Sequence, residues 1–186
     1  MALQPTLHRF RAEISDVDRA VYASIDLRVA RHASETARHL WARMLGYCLF
    51  YEEGLELCAE GIAHPEDPAA YKRDASGWHV WLEVGTPSAE RLHKASKASG
   101  HVVVVVHTDP VPWLRELQGQ RIHKAEGIEV LPLDVALLDA LIGKGVERQE
   151  SINVTVSEGT LYLEHGGVHH TMELKRLSLV EPPPTA

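Results

Sequence analysis

Cysteine is scarce in this 186-residue chain. Cys48 and Cys58 are the only two, and they stand too far apart for a CxxC pair. A cysteine-rich zinc site is thereby excluded, and the apolar neighbours of both residues predict reduced, buried thiols in a reducing compartment. Long hydrophobic runs are missing as well. The run Val102 to Val106 falls far short of the roughly 20 residues a membrane helix needs, and the opening MALQPTLHRFRAEIS has no apolar h-region. The expectation is a cytoplasmic protein with no membrane partner. Basic charge is in short supply, with 19 Lys and Arg against 26 Asp and Glu and a formal charge of −7. A protein that grips many phosphates along a duplex carries a basic face, so avid, non-specific nucleic-acid binding is disfavoured. A small acidic catalytic pocket remains compatible, because metal sites for phosphate chemistry are themselves built from carboxylates. No low-complexity linker and no internal repeat divides the chain. A single domain over 1–180 is expected, with 181–186, Glu181-Pro-Pro-Pro-Thr-Ala, as a frayed tail.

What is present is an alternation of strand and helix patterns that predicts an α/β (α+β) fold with one mixed sheet and flanking helices. Leu7 to Ile14 and Tyr22 to Ala30 read as a hairpin across the polar connector Ser15 to Arg19. Ser34 is placed to cap a helix with Glu35 in its first turn; Ala37, Leu40, Trp41, Met44, Leu45 and Cys48 form its stripe, and its end is expected near Gly54. Leu55 to Cys58 reads as a short strand, and Gly61 to Pro68 as a loop. Trp78 to Val84 is a strand with Val80, Leu82 and Val84 on one face and His79, Trp81 and Glu83 on the other. Gly85-Thr86-Pro87 stops it, a helix follows to about Ser99 with Gly100 as its stop, and His101 to His107 is a buried, nearly all-valine strand. Strand, helix, strand makes a crossover, so these two strands are expected to be parallel neighbours. A short helix at Trp113 to Leu117, a strand at Ile128 to Leu133 and a helix capped by Asp134 follow. A hairpin turning at Glu158-Gly159 comes next, and Met172 to Leu179 reads as a last strand.

Glu83 is the most informative residue. An acid on a strand of Trp, Val and Leu has a desolvation cost to offset. A lone strand glutamate is most often solvated, but this one keeps company with Asp67 in the preceding loop, Lys94 on the following helix and Glu35 at the first helix. Two or three carboxylates can hold Mg²⁺ or Mn²⁺ with waters left on the metal. Such a metal lowers the pKa of an attacking water, and a nearby lysine stabilises transition-state charge. Two other groupings have blander readings. His165, His169 and His170 read as solvated turn and strand histidines, a zinc site being the remote alternative. Arg91, Lys94 and Lys97 read as a solvated basic ridge in which Glu90 can pair with Lys94, and His39, four residues after Glu35, can touch the same pocket.

Four runs carry a family resemblance: His32-Ala33-Ser34-Glu35-Thr36, Cys48 to Leu55, Trp81-Leu82-Glu83-Val84-Gly85-Thr86-Pro87 and Lys94-Ala95-Ser96. In order and in register they resemble the YaeQ family, from the opening Met1-Ala2-Leu3 to the C-terminal hairpin. The resemblance implies a restriction-endonuclease-like core, a PD-(D/E)xK variant, with N- and C-terminal β-hairpins added. It assigns Asp67 and Glu83 to metal binding and Glu83, Lys94, Asp67 and Glu35 to catalysis, with Mg²⁺ or Mn²⁺ as cofactor. The lysine of the usual signature would fall two residues after Glu83, where this chain has Gly85, and the resemblance places it on the helix at Lys94 instead. Ala33 stands where the family usually has proline and Thr86 where it commonly has glutamine. Two functions follow as expectations: a metal-dependent, nuclease-like phosphodiester hydrolase, or a non-catalytic binding or regulatory protein on the same fold, with a nucleic acid or a protein as partner.

Overall fold

The computed structural model describes residues 5–58, 66–143 and 145–181. The start of the predicted Gly61–Pro68 loop and the tail at 182–186 lie outside the described residues. Strands β1 (Thr6–Asp16) and β2 (Val21–Arg31) form the expected hairpin, with buried Phe10, Ala12 and Ile14 alternating along β1. Helix α1 (Ala37–Leu49) follows, then the short β3 (Glu56–Leu57), β4 (Ala70–Asp74), β5 (Gly77–Val84), α2 (Ala89–Ala98) and β6 (Ser99–Val106). After these come α3 (Pro110–Leu117), β7 (Ile128–Pro132), α4 (Val135–Ile142), β8 (Gln149–Ser157), β9 (Thr160–His165) and β10 (Val168–Glu173). No described helix is long and apolar enough to cross a membrane.

The single mixed sheet expected from the sequence is two mixed sheets. One has the order β3-β4-β5-β6-β7; the other joins both terminal hairpins in the order β10-β9-β8-β1-β2. The joint is a parallel pairing of β1 with β8, from Arg9↔Gln149 to Asp16↔Val156. Local patterning gives no sign of it, because each hairpin is a complete local unit. Asp18, in the β1–β2 turn, pins the two hairpin turns together by accepting from the Glu158 and Gly159 amides at 2.8 Å each. The predicted parallel pairing of β5 and β6 is present, from Trp78↔Ser99 to Val84↔Val105. The strand β4 was absent from the sequence reading: Ala70-Tyr71-Lys72-Arg73-Asp74 is too polar to announce itself, and its place comes from antiparallel pairing with β5.

Helix α1 lies between the sheets, and every residue from Leu40 to Leu49 is buried. Its core takes Phe10, Ile14, Ile152 and Val154 from one sheet and Val80, Leu82, Val103 and Val105 from the other. A second core, on the far face of the central sheet, packs Trp81, Val102, Val104 and Val106 against Leu92 of α2 and Trp113 and Leu114 of α3. A helix buried on all sides loses its polar face, which is why its stripe is hard to delimit. It starts later and ends earlier than expected. Thr36, not Ser34, is its cap, accepting from the His39 amide at 3.1 Å, and it stops at Leu49 rather than near Gly54. Gly100 is not a helix stop either. Ser99 is already extended, and Gly100 lies inside β6. The last strand ends at Glu173; beyond it Leu177 makes only an isolated bridge to Val130. Cys48 and Cys58 are both buried, and burial pushes the Cys48 thiol up to about 12.

Close packing makes one position on α1 intolerant. A Cβ at Gly46 would lie 2.9 Å from Val105 Cγ2 and 3.6 Å from Leu82 Cδ2. Gly46→Ala should therefore destabilise the fold by about 1–3 kcal/mol through overpacking. Helix propensity alone would favour alanine by about 0.5–1 kcal/mol. Urea unfolding decides it, and a variant more stable than the parent would show that α1 and β6 can separate.

Candidate functional site

The carboxyl end of β5 and the first turns of α2 form the candidate site. β5 leaves the sheet at Gly85, whose φ of +101° is a backbone conformation L side chains rarely adopt. A side-chain-bearing residue at position 85 would be strained, whatever signature the family resemblance implies there. The Gly85-Thr86-Pro87 corner then feeds α2. Ser88 caps it by accepting from the Arg91 amide at 3.2 Å, so the first turn of α2 stands over the strand end.

Glu83 is buried on the α2 side of the central sheet. Trp81 Nε1–H donates to its Oε1 at 2.5 Å, and Arg91 Nε–H donates to the same oxygen at 2.6 Å. All three nitrogens of the Arg91 guanidinium donate. Its Nη1 donates to the Glu66 carbonyl at 2.8 Å and its Nη2 to the Asp67 carbonyl at 2.9 Å, while its plane lies over the Trp81 ring with Cζ 5.3 Å from the centroid. Burial pushes the Glu83 carboxyl above its ordinary value, against the opposing pull of Trp81, Arg91 and Lys94. One turn on, Lys94 bonds the Glu66 carboxylate and holds that carboxyl below its usual range. It does not pair with Glu90: Glu66, ahead of β4, takes the ammonium instead.

Of the four predicted residues the structure gathers three. Glu83, Lys94 and Asp67 meet around Arg91, but Asp67 reaches it with its carbonyl and is otherwise exposed. Glu35 stands apart, on the α1 side of the sheet. It precedes the cap residue instead of lying in the first helical turn, and its side chain turns back onto α1. Its Oε1 is 2.8 Å from His39 Nδ1, and its Oε2 accepts from Arg43 Nη2 at 3.3 Å. Arg43 is itself buried, and its Nη1 and Nη2 also donate to the Cys58 carbonyl at 3.4 Å and the Ala30 carbonyl at 3.0 Å. The anticipated contact between Glu35 and His39 is present; the one that matters more, with Arg43, carries no spacing signal beyond two opposite charges eight residues apart. His39 faces His107 with ring centroids 5.4 Å apart, and burial lowers the His107 pKa.

Arg91 is the functional residue the sequence reading misplaced, since the solvated ridge proves to have its first member drawn inward. The signal was available: a crossover helix starts over the end of the strand it leaves, so a cation in its first turn is positioned to meet a strand-end acid. Among the C-terminal histidines, His165 Nε2 pairs with buried Glu150 at 2.7 Å, while His169 is exposed. Among the described residues no group of three His, Cys, Asp or Glu is arranged to hold a metal ion.

Comparison with known proteins places nearly the whole chain in one family. The family described as YaeQ protein matches residues 1–174. Uncharacterized protein YaeQ of Escherichia coli (strain K12) is 26% identical over 166 residues, covering 88% of this chain and 90% of that protein. Its counterpart in Salmonella typhi is 26% identical over 168 residues. The crystal structure of YaeQ protein from Xanthomonas axonopodis pv. citri superposes with a TM-score of 0.80 at 27% identity, covering 96% of this chain and 99% of that one. The crystal structure of YaeQ protein from Pseudomonas syringae gives a TM-score of 0.82 at 24% identity, covering 94% and 96%.

Proposed function

Because this chain belongs to the YaeQ family, we propose that it binds nucleic acid as a non-catalytic protein on a restriction-endonuclease-like scaffold, a PD-(D/E)xK variant whose acidic site is closed by an arginine. One observation carries this reading: Arg91 spans Glu83 and the carbonyls of Glu66 and Asp67 with three hydrogen bonds of 2.6–2.9 Å. The guanidinium already supplies the positive charge that a buried carboxylate needs. With Arg91 in place, these residues do not fit a divalent metal. Lys94 is the group available to a phosphate. Its pairing with Glu66 is exposed on both sides, and such a pair contributes little and exchanges readily.

Hydrolysis with Mg²⁺ or Mn²⁺ is the second reading, and it requires Arg91 to leave the oxygens it now holds. A carboxylate and two carbonyls converging on one cation are the donors a hard metal ion takes. Glu83 and Asp67 would then be the ligands and Lys94 the group nearest the scissile phosphate, with Arg91 withdrawn. Calorimetric titration with Mn²⁺, run beside a DNA and RNA cleavage panel with and without chelator, separates the two. The expected result is no saturable metal binding and no chelator-sensitive cleavage, with oligonucleotide binding weakened in Lys94→Ala. Saturable Mn²⁺ binding with cleavage that Glu83→Ala abolishes would replace the first reading by the second.

A further inference from the structure

We infer that the aromatic and arginine row leading to Glu83 is a stacking platform for unpaired nucleobases, so that the ligand is single-stranded nucleic acid. This rests on the nucleic-acid reading above and names its substrate class. The row begins at Arg73, which is exposed and has no carboxylate partner among the described residues. Its guanidinium carbon lies 5.2 Å from the ring centroids of both Tyr71 and Trp78. Tyr71 and Trp78 meet edge to face at 5.4 Å, Trp78 meets Trp81 at 4.8 Å, and Trp81 hydrogen-bonds Glu83 and carries Arg91 over its ring. An unbroken chain of ring and cation contacts thus runs from an exposed surface to the buried acid. A register shift between Lys72 and Arg73 in the β4–β5 pairing marks the place where the row turns outward.

Two chemical facts select the occupant. Arginine planes and aromatic faces are what unpaired bases stack on, whereas in a duplex those base faces are already stacked inside the helix. The chain's formal charge of −7 disfavours the broad basic surface that duplex phosphates require. One guanidinium beside two rings suits a short stretch of single strand, held mainly by its bases. The salt dependence should accordingly be shallow, a slope set by about one or two phosphates.

The test uses the full chain in chelating buffer, so that hydrolysis cannot intervene, with oligothymidylate, oligouridylate and a duplex of matched length. Binding is read by tryptophan fluorescence quenching and by anisotropy of a labelled strand. One or both single strands should bind and quench, and the duplex should bind at least about tenfold more weakly. Arg73→Ala and Tyr71→Ala should each weaken single-strand binding about tenfold. Trp78→Ala removes a ring from the core edge and can disturb folding, so Trp78→Phe is included; it should keep the affinity and lose part of the quench. Single strands that bind equally well to the Arg73 and Tyr71 variants, while Lys94→Ala weakens them, would overturn the platform and leave the nucleic-acid reading standing. Duplex bound as tightly as single strand would also overturn the platform. No binding of any nucleic acid would overturn both.

Discussion

Arg43→Ala should lower the unfolding free energy by about 3–5 kcal/mol, the range for breaking a buried ion pair from one side. Side-chain exposure is 1% for Arg43 and 0% for Glu35, so solvent cannot replace the lost cation. The truncation leaves the Glu35 carboxylate with His39 alone and deprives the Ala30 and Cys58 carbonyls of a donor. The pair also ties the end of β2 and the segment after β3 to the middle of α1, so its loss loosens the helix both sheets pack on. The companion double variant, Arg43→Met with Glu35→Gln, should recover most of the deficit, because a buried pair replaced on both sides leaves no uncompensated charge. Urea unfolding of the parent, Arg43→Met, Glu35→Gln and the double variant gives the coupling. A deficit below about 1 kcal/mol for Arg43→Ala would mean that water reaches Glu35, and the description of this cluster would fail.

Arg91→Ala should cost about 2–4 kcal/mol near neutral pH, and the cost should depend on pH in a definite direction. Burial already raises the folded-state pKa of Glu83 above its ordinary value of 4.5. An acid shifted this way contributes stability that is fully present below the unfolded pKa and is lost as pH rises through the folded one. Arg91 opposes the shift by a hydrogen bond and by its charge. Removing it raises the folded pKa further, widening the window above 4.5 in which ionising Glu83 costs stability. The deficit of the variant relative to the parent should therefore be smallest near about pH 4 and grow toward about pH 7. A residual deficit at low pH is expected from the lost carbonyl hydrogen bonds and the lost contact with Trp81. Thermal or urea unfolding in a pH series measures this; a deficit that stays flat across the range would mean that Glu83 does not carry the coupling.

The outcome for individual residues shows where sequence reading reaches its limit. Val80, Leu82 and Val84 alternate against Trp81 and Glu83, and period-two patterning of this kind places side chains on faces without knowledge of the rest of the fold. The crossover from β5 to β6 was equally legible, because handedness and connection length leave few alternatives. Asp134 capping α4 and the Glu158-Gly159 turn followed from local chemistry. What escaped was non-local. The β1–β8 pairing joins residues some 140 apart, and no local pattern encodes it. The partner of Glu83 depended on which cation a loop and a helix turn bring within 3 Å, and Arg91 and Lys94 compete for that position on nearly equal terms in the sequence. Glu35 looked like a first-turn acid because Ser34 is a good cap. Thr36 is an equally good one, and the buried Arg43 decides the direction in which the carboxylate turns.

The parallel joint between β1 and β8 has a consequence for biosynthesis. A chain leaving the ribosome in order completes the first hairpin early, yet the inner edge of β1 stays bare until Gln149–Ser157 emerges. For most of translation an 11-residue strand therefore presents unpaired amides and carbonyls to whatever else is nearby, including other nascent copies. Premature termination just before β8 would release a polypeptide in that exposed state, without Ile152 and Val154 in the core around α1.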